Sequence, residues 1–553
     1  MEENILVTFC DGTTKEYPIG TQLYEISKDR QDYYIASIVA AKLDNDVVDL
    51  SQEIRKDCTV DFFTVKDVTG NRIYSRGLIY LFILAVKEVF HKDTKVKVDY
   101  SIDKGIYCTI PFEKLDQLKI QEIKIKMHSI IGKNLLFKKV NLSRLEVIKY
   151  FESVGQLDKV KSLRYISNTY VNMYRLDYLY DYFGGEMPYS TGVLTDFDVV
   201  FINKHGVVLM MPNIYEEGFE LKYVHHRKLF NEFNEYGKWG EVMKITNAAE
   251  LNETVSHSKI RELILLAEAT QDNRLLNIAS IIYSKIDQVK VVLIAGPSSS
   301  GKTTTAKKLA MFLRGCGLTP HTLSVDDYFF NREDTPVDEH GELDYESLNA
   351  IDLKLFNEQL TKLLAGEEVN VPEFNFILGK KEFKERHLQL GKDDILIIEG
   401  LHCLNEELTS AVPRDKKFKI YISPLTQINI DDHNRVPTTD TRLLRRMVRD
   451  NRTRGYDAAR TLDAWRKVRS GEEKYIFPYQ DEADIMYNTS LIYEIGLLKT
   501  YVEPLLFSVE PDDPQYAEAI RLINFLRYFL PIPADDVPQD SILREFIGKS
   551  CFE

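Results

Sequence analysis

The sequence predicts a multidomain α/β protein: a C-terminal unit built on a parallel sheet around a phosphate-binding loop, preceded by a small β-grasp unit and an α+β unit. Three observations predict it. The chain has 553 residues, which at roughly 150 residues per domain suggests about three or four domains. A largely apolar run, Val289 to Ala295, leads into Gly296-Pro297-Ser298-Ser299-Ser300-Gly301-Lys302-Thr303 and then a helical stretch, Thr304 to Arg314, the strand, loop and helix order of a P-loop. The first 66 residues alternate apolar and polar positions between turn signals, the pattern of short strands.

Composition narrows the class. Hydrophobic residues are 44%, charged residues 28% and mean hydropathy is -0.26, as in ordinary globular proteins. A net charge of -14 and a pI near 5.5 argue against nonspecific binding to nucleic acid or anionic membrane, so any phosphate site must be local. The six cysteines are scattered with no C-x-x-C pair, which fits a reducing compartment and argues against a disulfide framework. The N-terminus has no basic, apolar leader pattern, and the longest apolar stretch, Gly77 to Val86, is far below the ~20 residues that span a bilayer. Together these predict a cytoplasmic protein with no membrane partner.

In chain order, residues 1–66 read as the β-rich unit: strand Ile5 to Phe9, a turn at Asp11-Gly12, a second strand through Tyr17, a helix over Ile35 to Lys42, and a closing strand from Cys58 to Val65. Residues 67–225 read as mixed α and β, with a helix Gly77 to Phe90, strands Lys95 to Tyr100 and Tyr107 to Ile110, and a helix from Phe112 to about Ile131. His225 and His226 adjoin in sequence without an acidic or Cys partner in register, which reads as solvated. Residues 226–288 form a helical connector, with Ile260, Leu263 and Ala267 on one face and Leu275, Ile278 and Ile282 on a second helix. Residues 289–500 are the P-loop unit. Residues 501–553 are an extension with a helix Pro514 to Tyr528, packed on that unit or serving oligomerisation.

The chemistry concentrates in 289–500. The loop glycines let backbone N–H groups face phosphate oxygens, Lys302 reaches the β- and γ-phosphates, and Thr303 can ligate Mg²⁺. The Asn-Lys-x-Asp of GTPases does not follow: the only Asn-Lys pair, Asn203-Lys204, precedes the loop. Strand Thr322 to Val325 ends in Asp326-Asp327-Tyr328-Phe329, placing carboxylates at the carboxyl end of a parallel strand, where ligands bind in open α/β sheets. A third strand, Ile395 to Ile398, ends in Glu399-Gly400, an acid suited to Mg²⁺. Nine arginines lie between Arg442 and Arg469, an expected electrophilic lid over a triphosphate.

These motifs carry a resemblance. The P-loop, Leu323-Ser324-Val325-Asp326-Asp327-Tyr328-Phe329, Leu343-Asp344-Tyr345-Glu346, Val371-Pro372-Glu373-Phe374-Asn375-Phe376, Ile398-Glu399-Gly400 and Thr441-Arg442-Leu443-Leu444-Arg445-Arg446 are together similar to uridine-cytidine kinase, within the phosphoribulokinase/uridine kinase family. The resemblance implies an ATP- and Mg²⁺-dependent kinase of a nucleoside 5'-hydroxyl. In that kinase Lys302, Asp326, Arg446 and Arg449 are catalytic, and Asp326 is the base. Gly296, Pro297, Ser298, Ser299, Ser300, Gly301, Lys302, Thr303, Thr304 and Arg454 bind ATP. Asp344, Tyr328, Phe374 and Phe376 face the acceptor, and Thr303, Glu399 and Asp326 hold Mg²⁺. Three departures stand out: Gly379 replaces a base-reading His, Phe374 lacks the hydroxyl of the usual Tyr, and Tyr456 replaces a lid Arg. The first two remove polar groups that would pair with a pyrimidine edge, and with them discrimination between acceptors, so a kinase of another small alcohol is a rival.

The front of the chain resembles threonyl-tRNA synthetases. Residues 1–66 look like a TGS domain, and Ile106 to Phe112 running into a charged helix is similar to the second additional, editing domain. The editing family's His-x-x-x-His aligns with Arg76 and Tyr80, and its Cys/His pair with Phe183 to Tyr189, so the resemblance implies the fold without zinc-dependent editing. It also supplies a second rival, a regulatory protein whose front half binds tRNA or a nucleotide regulator.

Overall fold

The computed structural model describes residues 4–214, 221–338, 341–376, 378–426 and 428–552. The first unit contains β1 (Asn4–Phe9), β2 (Thr14–Pro18), α1 (Leu23–Arg30), β3 (Ile38–Leu43), β4 (Asp46–Val48) and β5 (Cys58–Thr64). Its sheet order is β2-β1-β5-β3-β4, with β1 parallel to β5 and antiparallel to β2, the β-grasp arrangement. The helix expected over Ile35 to Lys42 is β3 instead, and the helix is α1. Val39, Ala40 and Ala41 are buried on both faces, because the next helix covers the side that the β-grasp leaves open. Continuous burial of a short apolar run cannot be told from a helix by periodicity alone.

That next helix, α2 (Val68–Val89), is longer than its expected span. Leu78 to Val86 are buried without a break, so α2 is a core helix apolar all round. Around it lie β6 (Lys97–Ile102), β7 (Gly105–Thr109), α3 (Gln117–Gly132), β8 (Lys138–Ser143), α4 (Arg144–Ser153), α5 (Leu157–Arg164), β9 (Tyr170–Leu176), β10 (Leu179–Asp181), β11 (Asp198–Asn203) and β12 (Gly206–Met210). They form a four-stranded sheet, β11-β12-β7-β6, and a three-stranded sheet, β10-β9-β8. Asp116 caps α3 through the Lys119 N–H, and Ser143 with Glu146 makes a capping box on α4.

Three helices follow: α6 (Arg227–Met243), α7 (Ala248–Ser256) and α8 (Ile260–Tyr283). The two helical faces expected at 260–267 and 275–282 belong to one helix, α8. His226 is not solvated. Its Nδ1 lies 2.7 Å from Asp481 Oδ2 and its Nε2 3.8 Å from Asp103 Oδ1, acids remote in sequence.

The P-loop unit has β13 (Val291–Ala295), α9 (Lys302–Gly315), β14 (Thr319–Ser324), α10 (Leu353–Leu364), the short β15 (Val369–Asn370), β16 (Glu373–Asn375), β17 (Lys380–Glu382) and β18 (His387–Leu388), then β19 (Asp394–Glu399), β20 (Lys417–Ser423), α11 (Thr438–Arg454), α12 (Ala458–Tyr475) and β21 (Ile485–Asn488). The main sheet runs β14-β19-β13-β20-β21, all parallel. Alternate residues of β13 serve opposite faces: Val292 and Ile294 join the core formed with α8, α9 and α11, while Val291, Leu293 and Ala295 join the core beneath α10. The chain ends in α13 (Glu494–Phe507), α14 (Tyr516–Leu526) and α15 (Arg544–Ile547). The expected boundary at 500/501 falls inside α13, and the extension packs on the P-loop unit: Leu526, Ile532, Ile542 and Phe546 share a core with β13 and β20.

Candidate active site

The carboxyl ends of β13, β14 and β19 converge on the P-loop. β13 packs so closely on β20 that a Cβ at Gly296 would lie 2.2 Å from the Ile422 carbonyl oxygen and 2.8 Å from Ser300 Oγ, which is the close backbone approach glycine permits. Gly301 opens α9 with φ +89°. Lys302 Nζ donates to the carbonyls of Gly296 (3.0 Å) and Pro297 (3.3 Å). Ser299 Oγ and Ser300 Oγ are buried without a hydrogen-bond partner, an unfilled polar lining of the kind a phosphate satisfies. Ser298 N–H donates to Glu472 Oε1 (3.0 Å), and Thr304 donates through both N–H (3.1 Å) and Oγ1 (2.7 Å) to Glu545 Oε2.

Glu399, at the end of β19, accepts from Thr303 Oγ1 (3.2 Å) and Ser324 Oγ (3.0 Å). Burial, reinforced by the charge of Asp326, pushes its carboxyl up to about 7. Asp326 lies in the 3-10 turn Val325–Tyr328 that ends β14. Burial raises its pKa, and the charges of Lys302, Arg454 and Arg449 pull it back. A hydroxyl and two acids on adjacent strand ends fit a hard divalent cation that keeps several waters. Thr303 and Glu399 would hold Mg²⁺, whose charge would offset that of the phosphates.

On α11 the arginines divide by depth. Arg446 donates to Ser298 Oγ (2.8 Å), and the buried Asp450 pairs with Arg446 (3.2 Å), Arg449 (2.8 Å) and Arg454 (3.4 Å), fanning them over the loop. Arg442 and Arg445 are 2% and 0% exposed and are neither lid nor solvated face. Arg442 makes a bidentate pair with Glu472 and reaches the Ser298 carbonyl, while Arg445 pairs with Glu494 and reaches the Ser299 carbonyl. They brace the P-loop from below.

Of the expected acceptor residues, Asp344 accepts from Tyr475 Oη (3.1 Å) and from Glu346 N–H (3.2 Å). Phe374 and Phe376 meet edge to face at 5.1 Å, with Phe376 half exposed and Arg454 over its ring at 5.6 Å. Tyr328 is a correction: it is fully buried, its ring packs on Phe356, and its hydroxyl donates to Gln359 Oε1 (2.7 Å), so it holds α10 rather than a ligand. At Gly379, φ is +66° and a Cβ would lie 2.8 Å from Arg332 Nε.

Sequence reasoning missed the roles of Asp450, Glu472 and Glu545, while Asp327, read with Asp326 as a strand-end carboxylate, accepts from Phe374 N–H (3.3 Å) and pairs with Arg386 (3.1 Å). The i, i+4 spacing of Arg446, Asp450 and Arg454 was a legible signal. The contacts of Glu472 and Glu545 with the P-loop region carry none, since Ser298 and Thr304 lie more than 170 residues away.

At the positions of the editing family's histidines, Arg76 Nε donates to the Glu186 carbonyl (2.9 Å), and Tyr80 Oη reaches the carbonyls of Tyr174 (2.9 Å) and Leu179 (2.7 Å). The Tyr80 ring packs 5.1 Å from Phe183, so these positions form a packed core.

Residues 291–491 match the model of the Phosphoribulokinase / Uridine kinase family. The N-terminal region is similar to threonine–tRNA ligases. That of Desulforamulus reducens is 27% identical over 158 residues, 28% of this chain and 25% of the relative, so the chain spans about a quarter of that relative's length. Among solved structures, a possible uridine kinase from Bacillus stearothermophilus is 25% identical, covering 27% of this chain and 80% of that one, with a TM-score of 0.22. D-glycerate 3-kinase from Cryptococcus neoformans var. grubii is 14% identical, covering 46% and 87%, with a TM-score of 0.22. The chain thus carries a phosphoribulokinase/uridine kinase family domain behind a region similar to part of threonine–tRNA ligases.

Proposed function

We propose that this domain transfers the γ-phosphoryl group of ATP, with Mg²⁺, to the 5'-hydroxyl of a nucleoside. The observation that carries the reading is the placement of Asp326 in the turn that ends β14, the strand beside β19, whose last residue Glu399 accepts from Thr303 Oγ1 at the P-loop. A base with a raised pKa at that position accepts the acceptor hydroxyl's proton as the oxygen attacks. Lys302, Arg446, Arg449 and Arg454 neutralise charge on the transferring group. The Phe374–Phe376 pair offers a stacking wall for a base, and Asp344 an acceptor for ribose hydroxyls.

A second acceptor class, another small alcohol, is favoured by Gly379, where Arg332 packs in place of a side chain. We also propose that the front half is a regulatory module for tRNA or a nucleotide. The buried link from Lys159 on α5 to Asp431 in the connection leading to α11 (2.9 Å) would couple such a module to the P-loop unit.

The test is ADP release with ATP and Mg²⁺ against a panel of nucleosides and small alcohols, with Lys302→Ala as the blank. Turnover on uridine or cytidine supports the nucleoside reading, and turnover on a different alcohol moves the assignment to that acceptor. No turnover with any acceptor, in a protein that binds ATP, removes the kinase reading and favours the regulatory one.

A further inference from the structure

Among the last dozen described residues, one side chain lies on donors in the first turn of α9. Glu545 Oε2 accepts from Thr304 N–H (3.1 Å) and Thr304 Oγ1 (2.7 Å). Thr304 is in the first turn of α9, where the helix N-terminus and the loop N–H groups present donors to nucleotide phosphates. A carboxylate accepting from both Thr304 donors has the charge and geometry of a phosphate oxygen.

The segment is fixed there at several points. Ile542 Cγ2 sits 2.6 Å from where a Gly301 Cβ would be, so the plug closes on the loop's second glycine. Lys307, on α9, donates to the Phe552 carbonyl (2.7 Å). Arg452, on the lid helix α11, donates to the carbonyls of Glu545 (3.0 Å) and Phe546 (3.2 Å). Arg544 reaches back to the carbonyls of Ala534 (2.8 Å) and Val537 (2.6 Å), which stiffens the approach. The charge of Glu545 also reaches Glu399, adding to the effects of burial and Asp326.

We propose that residues 541–552 are an autoinhibitory plug: the Glu545 carboxylate occupies the place of a nucleotide phosphate oxygen on Thr304, and nucleotide must displace it to bind. A segment that merely walled the pocket would leave the Thr304 donors free for phosphate. The inference rests on the nucleotide-binding part of the proposed function but not on phosphoryl transfer.

The test uses full-length Glu545→Gln and Glu545→Ala with MgADP as the probe, titrated by calorimetry. Loss of a competing charge-assisted hydrogen bond predicts roughly ten- to hundredfold tighter binding in Glu545→Ala and a smaller gain in Glu545→Gln. Hydrogen exchange of the unaltered protein supplies a readout independent of any variant's folding: saturating MgADP should speed exchange in 541–552. Unchanged or weaker binding in both variants overturns the proposal. So does slower exchange of the segment with nucleotide, which would make it a pocket wall, or an absence of nucleotide binding in every form. Tight nucleotide binding by Glu545→Ala without turnover on any acceptor would instead remove the kinase reading and leave the plug standing.

Discussion

Replacing Lys159 by methionine should weaken the union between the front half and the P-loop unit. Lys159 is 0% exposed, and its Nζ lies 2.9 Å from both Asp181 Oδ1 and Asp431 Oδ1. Asp181 also binds His433 Nδ1 (2.5 Å), and Asp431 accepts from the N–H groups of His433 (2.9 Å) and Asn434 (3.0 Å). Methionine conserves most of the volume but leaves two carboxylates buried without their cation, a change that costs about 3–5 kcal/mol. At about 2.1 cal/mol/K per residue of unfolding entropy, a cooperative melt of this chain would move by about 3–4 °C. If the front half melts by itself, the shift divides over fewer residues and is larger. Differential scanning calorimetry of Lys159→Met against the parent measures it, and adding Asp181→Asn and Asp431→Asn should recover at least half the loss. Burial raises the Asp181 carboxyl, but Lys159 and His433 outweigh it and hold it at about 2. The contribution is therefore present above the ordinary carboxylate range and is lost as pH falls through that range toward 2. A Lys159→Met protein melting within 1 °C of the parent at pH 7, with no benefit from the double neutralisation, would refute the argument.

Asp326→Asn should lower phosphoryl transfer by roughly 10²–10⁴-fold while MgADP still binds; full turnover would remove Asp326 as the base. Gly296→Ala places a methyl 2.2 Å from the Ile422 carbonyl oxygen, so equilibrium dialysis should show nucleotide binding weakened more than about tenfold as the loop is pushed off β20. Burial pushes Glu346 up to about 7, with Glu472 adding to it, and its Oε2 is buried without a partner. The folded state then holds the extra proton, and the parent loses stability as pH rises from about 4.5 to about 7. Glu346→Gln should be the more stable form at pH 8 by up to about 3 kcal/mol and lose that advantage near pH 4.5; denaturant midpoints that differ equally at pH 4.5 and pH 8 would contradict this.

Local pattern was a good guide wherever one segment carries its own signal. The P-loop reads from its residues because glycine at 296 and 301, a lysine and a threonine are demanded by phosphate geometry within eight positions. The alternating faces of β13 and β19 follow from apolar runs of strand length. The same logic failed at Ile38 to Leu43, whose burial comes from α2 as well as from its own sheet, and at Tyr328, whose ring packs on Phe356 in the core beneath α10. It failed also for His226, whose acidic partners lie at 103 and 481.

What the sequence by itself determined is the order of units, the phosphate loop and the chemical types gathered near it, since each follows from contiguous residues and short-range sterics. What only the tertiary structure decided is which charges meet. Glu472 under Ser298, Lys159 between two aspartates and Glu545 on Thr304 are pairings across elements. A buried charge is stable only beside its partner, and packing, not sequence distance, brings that partner within reach.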